Sequence, residues 1–121
     1  MARGKILIID DEPGVREFLQ YFFEDRDFNV EIAEDGAAGV EQFQKGNFDL
    51  VLCDMLMPRM IGIDVLRRIK ELKPGQRVIM MSGVKETSMI EKAKQLGCHH
   101  YLTKPVRLDD VEAKVKECFP G

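Results

Sequence analysis

Four short apolar runs along the chain each lead into a polar or charged residue. The runs cover residues 6–9, 50–53, 78–81 and 101–103, and the residues that follow them are Asp10 with Asp11, Asp54, Ser82, and Lys104 with Pro105. Unbroken runs of this kind, rich in Val, Ile and Leu, are typical of parallel strands buried on both faces. Because the carboxyl ends of parallel strands meet at one edge of a sheet, we expect these polar side chains to lie together there.

Helical patterns alternate with the strands. A further strand is indicated over residues 28–33, ahead of the Glu34-Asp35-Gly36 turn. The apolar spacing predicts helices that start at Pro13 and cover residues 36–45, 62–72, 86–96 and 108–118. This alternation in 121 residues predicts one α/β domain over residues 1–121. The expected fold is flavodoxin-like and doubly wound: a five-stranded parallel sheet of order 2-1-3-4-5 with five helices.

Composition excludes several classes of function. The net charge is only -3, so nothing global indicates nucleic acid as a partner, and the mildly basic second half of the chain is most simply an ordinary solvated helix surface. No apolar stretch approaches the roughly 20 residues of a membrane span, and the N-terminal residues lack the apolar region of a secretory signal. The three cysteines, Cys53, Cys98 and Cys118, lack C-x-x-C spacing, so neither a disulfide framework nor a zinc site is indicated. We therefore expect a cytoplasmic protein that binds neither nucleic acid nor membrane directly.

The predicted strand order brings Asp10, Asp11 and Asp54 together, because strands one and three are neighbours. Carboxylates this close repel one another, so we expect a cation between them. Oxygen ligands favour a hard ion, since no His is nearby and Cys53 is most simply a small core residue of its strand, and Mg²⁺ fits best. Asp10 and Asp11 also suit the cap of the helix that begins near Pro13. The two roles can coexist.

Lys104 and Ser82 complete a site for a phosphoryl group. The lysine supplies a positive charge and the serine a hydroxyl donor, while Asp54 can act as a carboxylate nucleophile and form an aspartyl phosphate. Taken singly, Lys104 could be a surface lysine and Ser82 a turn residue. Their joint occurrence at strand ends favours the phosphoryl site.

These residues resemble the motifs of the response-regulator receiver domains of two-component signalling, of the chemotaxis-regulator type. The matching positions extend over nearly the whole chain and comprise Asp10-Asp11, Asp54 with Pro58 and Gly62, Ser82-Gly83, and Tyr101 to Pro105. The resemblance implies that Asp54 accepts a phosphoryl group from a sensor histidine kinase or a phosphotransfer protein. It also implies a signalling switch, not a metabolic enzyme, which catalyses only its own phosphorylation and slow dephosphorylation.

The same resemblance implies roles for the other residues of the site. Asp11, Asp54 and the backbone carbonyl of Leu56 would bind Mg²⁺, and Asp10 would act through an ordered water. Lys104, Ser82 and the Gly83 N–H would hold the phosphoryl group, and the Lys104-Pro105 peptide bond is expected to be cis.

The resemblance further implies a conformational switch. Ser82 would move toward the phosphoryl group, and Tyr101 would turn inward. The surface of the fourth helix, fifth strand and fifth helix would then act on an output domain, a partner or a second copy of the chain.

Two positions depart from the family pattern. Ile61 stands where such domains usually have a polar residue, so we expect a lost helix cap and an exposed apolar side chain beside the site. The His99-His100 pair is unusual before the fifth strand. With Cys98 it could hold a soft metal, although a plain surface loop is favoured.

Apolar residues also flank the acceptor. Leu56, two residues after Asp54, and Val84, two residues after Ser82, cannot orient a hydrolytic water. We expect them to make autodephosphorylation slow.

Two other functions were weighed. An Asp-nucleophile phosphatase of the haloacid-dehalogenase type needs an Asp-x-Asp arrangement after strand one and a cap, and residues 10–13 offer neither. A phosphate-independent interaction module on the same fold would be expected to lack Asp54 or Lys104, and both are present. The sequence leaves open whether the chain is a stand-alone regulator or part of a longer protein.

Overall fold

The computed structural model describes residues 3–57, 60–83 and 87–119. Strands and helices alternate along the chain, as the sequence predicts. The strands are Gly4–Ile9 (β1), Phe28–Ala33 (β2), Leu50–Asp54 (β3), Val78–Ser82 (β4) and His100–Thr103 (β5). The helices are Pro13–Glu24 (α1), Gly36–Lys45 (α2), Gly62–Leu72 (α3), Thr87–Gln95 (α4) and Leu108–Cys118 (α5). No helix in these described ranges is long and apolar enough to cross a membrane.

The five strands form one parallel sheet with the order β2-β1-β3-β4-β5, which confirms the predicted doubly wound fold. The register determines which strand ends meet. Ile9 lies opposite Cys53, and Ser82 lies opposite Thr103. Asp10 and Asp54 therefore follow neighbouring positions of β1 and β3, while Lys104 leaves β5 beside the end of β4.

Helices cover both faces of the sheet and enclose two apolar cores. One core joins the sheet to α2, α3 and α4 through residues such as Phe43, Leu66 and Ala93. The other joins it to α1 and α5 through Leu19 and Val111. Burial on both sides explains why the central strands are continuous apolar runs in the sequence. Because both faces of the central strands are covered, polar residues can reach solvent only near the ends of these strands.

The start of α3 lies against the end of β3 without room for a side chain. A Cβ on Gly62 would come within 2.3 Å of the Asp54 carbonyl oxygen and 2.6 Å of the Met55 Cα. The Gly62 N–H donates to the Met55 carbonyl oxygen at 2.8 Å. Glycine at this position therefore lets α3 approach the backbone at the end of β3.

Ile61 precedes α3 in the N-cap position, in extended backbone conformation and without a side-chain cap hydrogen bond. Its side chain is exposed. The predicted loss of a helix cap is confirmed.

Element boundaries differ slightly from those that the sequence predicts. β1 begins at Gly4 instead of residue 6, because Gly4 and Lys5 pair with the start of β2 although neither is apolar. β5 begins one residue early, at His100. α4 ends at Gln95 instead of Leu96, and the predicted start of this helix at Glu86 lies outside the described residues.

Candidate functional site

Asp54 is the last residue of β3 and only 4% exposed, at the edge where the carboxyl ends of the central strands meet. The backbone N–H of Leu56 donates a hydrogen bond to its carboxylate. Lys104 Nζ lies 3.2 Å from Asp54 Oδ2. The predicted acceptor is therefore a nearly buried carboxylate with one cation beside it.

Asp10 follows β1 and is fully buried. Its Oδ1 accepts a hydrogen bond from the Glu12 N–H at 2.9 Å, which closes the turn before α1. Its Oδ2 lies 2.9 Å from Lys104 Nζ. The Asp10 backbone carbonyl accepts from Arg16 at 2.8 Å. Local hydrogen bonds thus fix Asp10 as part of the turn as well as part of the site.

Lys104 carries the positive charge of this site and meets three carboxylates. Besides Asp10 and Asp54, its Nζ contacts Glu12 Oε1 at 2.8 Å. The Lys104 N–H also donates to the Ser82 carbonyl oxygen at 2.9 Å, which fixes its backbone to β4. Lys104 therefore connects the carboxyl ends of β1, β3 and β4 from the end of β5.

Burial and charge shift the pKa values of both partners. Burial and, to a smaller extent, the nearby charge of Asp10 raise the pKa of Asp54 from 3.8 to about 6, although Lys104 and the Leu56 N–H act in the opposite direction. Burial by itself lowers the pKa of Lys104. Hydrogen bonds to Glu12 and Asp10 and the charges of Asp10 and Asp54 outweigh that effect, so the pKa of Lys104 lies above its usual value. Lys104 therefore remains positively charged across the neutral pH range.

An open cavity of about 500 Å³ lies above Asp54, and we call it the phosphoryl cavity after the role that the sequence predicts for it. Its lining brings together six of the predicted site residues, together with Glu12, and comprises Asp11, Glu12, Asp54, Leu56, Ser82, Gly83 and Lys104. The side chain of Leu56 is 52% exposed there. Val84, the other residue predicted to affect hydrolysis, lies outside the described residues.

Ser82 and Tyr101 are in contact across β4 and β5. Ser82 is buried at the end of β4, and its side chain shares a hydrogen bond with the Tyr101 side chain. Burial raises the pKa of the Tyr101 phenol, although this hydrogen bond acts in the opposite direction. Tyr101 therefore contacts Ser82, one of the residues that line the phosphoryl cavity. The Lys104-Pro105 peptide bond is cis, as predicted.

The acidic residues form a cluster with the geometry of a cation site. Carboxylate oxygens of Asp10, Asp11, Glu12 and Asp54 lie within 4.8 Å of one another. The buried Asp10 Oδ2 pairs with Lys104 Nζ at 2.9 Å, and the described residues give it no further hydrogen-bond donor. An all-oxygen set of this kind fits Mg²⁺.

The cysteine and histidine alternative does not form a comparable cluster. His100 Nε2 lies 2.8 Å from a carboxylate oxygen of Glu117 on α5. Within residues 3–57, 60–83 and 87–119, neither Cys98 nor His99 joins a group with metal-ligand geometry. The prediction of a plain surface loop therefore holds for His99, whereas His100 is the first residue of β5 and pairs with Ile79 of β4.

Sequence reasoning missed Glu12. Its contact with Lys104 joins residues 92 positions apart, so local spacing does not reveal it. The available signal was the unbroken Asp10-Asp11-Glu12 run directly after β1.

A second cavity, of about 580 Å³, adjoins the first. We call it the α1 groove, and its lining residues are Glu12, Gly14, Val15, Phe18, Lys104, Pro105 and Val106. Phe18 is exposed within it. A mostly apolar groove therefore borders the phosphoryl cavity, and Glu12 and Lys104 form part of both.

Known proteins share this sequence pattern. Residues 6–116 match the family described as response regulator receiver domain. Sporulation initiation phosphotransferase F of Bacillus subtilis is 36% identical over 120 residues, which are 99% of this chain and 97% of that protein. The chain spans only 26% to 51% of several similar transcriptional regulatory proteins.

Solved structures share the fold. A CheY-like receiver domain protein from Methanospirillum hungatei has a TM-score of 0.90 and 30% identity, covering 93% of this chain and 90% of that one. CheY of Borrelia burgdorferi, solved as a CheX-CheY-BeF3-Mg complex, has a TM-score of 0.91 and 29% identity, covering 97% and 90%.

Receiver domains are the phosphorylated switches of two-component systems, and they interact with kinases or phosphotransfer proteins. The fold, the acidic cavity with its lysine and the match over residues 6–116 agree. The chain therefore belongs to the response regulator receiver domain family.

Proposed function

We propose that Asp54 is the phosphoacceptor and that it takes a phosphoryl group from the phosphohistidine of a sensor histidine kinase or a phosphotransfer protein. The observation that carries this proposal is the position of Asp54. Its carboxylate lies at the base of a cavity, 3.2 Å from the Lys104 ammonium and within 4.8 Å of the other acidic ligands.

In the proposed reaction, a carboxylate oxygen of Asp54 attacks phosphorus. A phosphorus–oxygen bond forms, the phosphorus–nitrogen bond breaks, and its electron pair stays on the imidazole nitrogen of the donor. Lys104 and the Ser82 hydroxyl would hold phosphoryl oxygens, together with the Gly83 N–H. This chemistry consists mainly of positioning and charge neutralisation, which the buried strand ends favour.

We propose Asp11, Asp54 and the Leu56 carbonyl as Mg²⁺ ligands, with Asp10 contributing through water. When bound, the ion would supply charge neutralisation between the carboxylates and the transferred phosphoryl group. The acidic side chains themselves orient the site, because Asp10 is fixed by the turn before α1 and Asp54 by the Leu56 N–H.

We further propose that the phosphodonor protein docks in the α1 groove. The groove is mostly apolar, contains the exposed ring of Phe18, and opens beside Lys104. A donor that covered it would bring its phosphohistidine to the adjoining cavity. Burial of apolar surface would supply affinity, and the phosphoryl cavity would supply the reaction.

The proposed output is the surface formed by α4, β5 and α5, biased through Ser82 and Tyr101. It would contact an output domain, a separate partner or a second copy of the chain. We also propose that residues 1–121 act as a single receiver domain in the cytoplasm. The family match over residues 6–116 supports the domain assignment.

Labelling with acetyl phosphate tests the acceptor. Intact-mass analysis should show one added phosphoryl group with Mg²⁺ and much less with a chelator. Asp54→Asn should abolish the addition, and Asp64→Asn, which changes an exposed carboxylate on α3, should keep it. Equal labelling of Asp54→Asn would contradict the assignment. No labelling of the wild type by acetyl phosphate or by a phosphorylated donor would favour the phosphate-independent module.

A further inference from the structure

Glu12 makes a contact that its position on the helix does not require. It is the N-cap residue of α1, yet its side chain makes no cap hydrogen bond. The carboxylate instead reaches Lys104 at the opposite end of the sequence, where Oε1 lies 2.8 Å from Nζ. A glutamate that could cap its own helix thus pairs with the lysine of the phosphoryl site.

The Glu12 contact occupies an N–H donor of Lys104 that a phosphoryl group on Asp54 would also use. An ammonium group has three N–H donors. In the present structure three carboxylates, from Asp10, Glu12 and Asp54, lie within 3.2 Å of Lys104 Nζ. A phosphoryl oxygen that binds Lys104 therefore competes with these carboxylates for its N–H donors.

Glu12 is the carboxylate best suited to be displaced. Asp10 is fully buried and fixed by the turn, and Asp54 is the group that would carry the phosphoryl group. The Glu12 side chain is 60% exposed, so water can solvate it after it leaves Lys104. Glu12 also lines the phosphoryl cavity, where its charge repels an incoming anion.

We propose that Glu12 is a positioning residue that occupies Lys104 in the unphosphorylated protein and is displaced from it when a phosphoryl oxygen on Asp54 binds there. This inference rests on the proposed role of Asp54. The Glu12–Lys104 ion pair opposes the loading of the site by an anion, and so lowers the fraction of activated protein at a given donor concentration.

Beryllofluoride with Mg²⁺ serves as the probe, because it reports loading without a protein donor. Its apparent affinity is measured by titration with ¹H–¹⁵N spectra for wild type, Glu12→Gln and Glu12→Ala. The matched control is Glu17→Gln, which removes an exposed negative charge from the same helix. Both Glu12 variants should bind beryllofluoride about two- to fivefold more tightly, the range for loss of an exposed ion pair, and Glu17→Gln should change much less.

The side-chain ammonium signal of Lys104 supplies a readout that a merely structural role would not change. In the unliganded protein, this signal should differ between wild type and Glu12→Gln but not between wild type and Glu17→Gln. After beryllofluoride is bound, the wild-type and Glu12→Gln signals should converge, because the proposed displacement has then occurred in both.

Several outcomes would overturn the inference. Unchanged or weaker beryllofluoride binding by both Glu12 variants would show that the ion pair does not oppose loading. Weaker Mg²⁺ binding by Glu12→Gln than by Glu17→Gln, with beryllofluoride affinity lowered in parallel, would assign Glu12 to the metal instead. Beryllofluoride binding by Asp54→Asn equal to that of the wild type would instead refute the acceptor assignment, so the two failures can be distinguished.

Discussion

The carboxylate of Asp54 is nearly buried beside the carboxylate of Asp10, and a single ammonium group lies between them. Burial and the neighbouring charge both favour its protonated form. The property that makes Asp54 suitable for phosphoryl transfer is therefore expected to reduce the stability of the unliganded protein. Residues at functional sites commonly show this conflict.

Asp54→Asn should stabilise the protein at neutral pH in the absence of divalent ions. The pKa of Asp54 rises from 3.8 to about 6 on folding, so between these values the folded state binds more protons than the unfolded state. Stability due to this group is therefore lost as pH rises through that window. At about pH 7.5 we expect a gain on the order of 1–2 kcal/mol, less than the full shift implies because the Lys104 pairing is lost as well.

Urea denaturation at several pH values measures this effect. The difference between Asp54→Asn and wild type should shrink as pH falls toward about 4. Asp64→Asn controls for the loss of an exposed charge. A variant that is less stable than wild type at neutral pH would show that the Lys104 ion pair outweighs the burial of the charge.

A change at the single residue Leu56 tests how fast phospho-Asp54 hydrolyses. Its exposed side chain lines the phosphoryl cavity and cannot hydrogen-bond a hydrolytic water. Leu56→Asn should shorten the lifetime of phospho-Asp54 by about three- to tenfold, since a tenfold change requires only ~1.4 kcal/mol of barrier. The decay of phosphoprotein measured by mass after donor removal provides the rate. Decay of the wild type within seconds would refute slow hydrolysis, and an unchanged rate in the variant would refute the role of Leu56.

At the scale of elements, the junction of β3 and α3 depends on the absence of a side chain at Gly62. A Cβ there would collide with backbone atoms, which cannot move without shifting Asp54. Gly14, in the first turn of α1, offers a contrast because a Cβ there would meet nothing within 4 Å. The same residue type is therefore crowded by backbone atoms at position 62 and open to solvent space at position 14.

Gly62→Ala should therefore destabilise the protein by about 1–3 kcal/mol, the usual cost of overpacking. Gly14→Ala should be neutral or stabilising by up to about 1 kcal/mol, because alanine favours helix. Thermal or urea denaturation measures both. Equal stability of the two variants would mean that α3 can move away from β3 at little cost.

The strand and helix pattern was predictable because the central strands are buried on both faces. Continuous apolar runs mark β3 and β4, and the bounds of α3 follow from Gly62 and from the stop signal at residues 73–75. The extra residues at the start of β1 were not predictable, since Gly4 and Lys5 join the sheet through backbone pairing that hydrophobicity does not record.

The same distinction applies to the candidate site. Asp54 and Lys104 could be identified because each follows an apolar run at the same sheet edge. The Glu12 contact could not be predicted, because the exposed Glu12 side chain could either cap α1 or turn toward Lys104. Strand order determines where backbone ends meet, whereas side-chain pairing depends on rotamers and charge at that edge.

At the scale of the whole molecule, the phosphoryl cavity connects to the surface of α4, β5 and α5 through Ser82 and Tyr101. Their shared hydrogen bond links β4 to β5. A conformational switch requires two states with different contacts at this link. Movement of Ser82 toward a phosphoryl group would change the environment of the Tyr101 ring.

Activation with beryllofluoride should therefore shift backbone signals near Met89 on α4 and Val111 on α5. Tyr101→Ala should retain the shifts around Asp54 but reduce the distant ones by more than half, because the link between β4 and β5 is lost. Tyr21→Ala, which removes a highly exposed ring from α1, is the matched control. Shifts confined to the cavity in the wild type would argue against the proposed switch.

The contacts that Lys104 makes with Asp10 and Asp54 lead to an expectation about how the chain folds during synthesis. Fifty residues separate Asp54 from Lys104, and translation of this interval takes about 3–10 s. During that time the ribosome has produced both acidic strand ends but not the lysine that neutralises them. A partial sheet of β1 and β3 would bury two repelling carboxylates, which is unfavourable without a partner. We therefore expect the nascent chain to remain unfolded until its C-terminal part emerges, so that the domain folds as one cooperative unit after its last strand has been made.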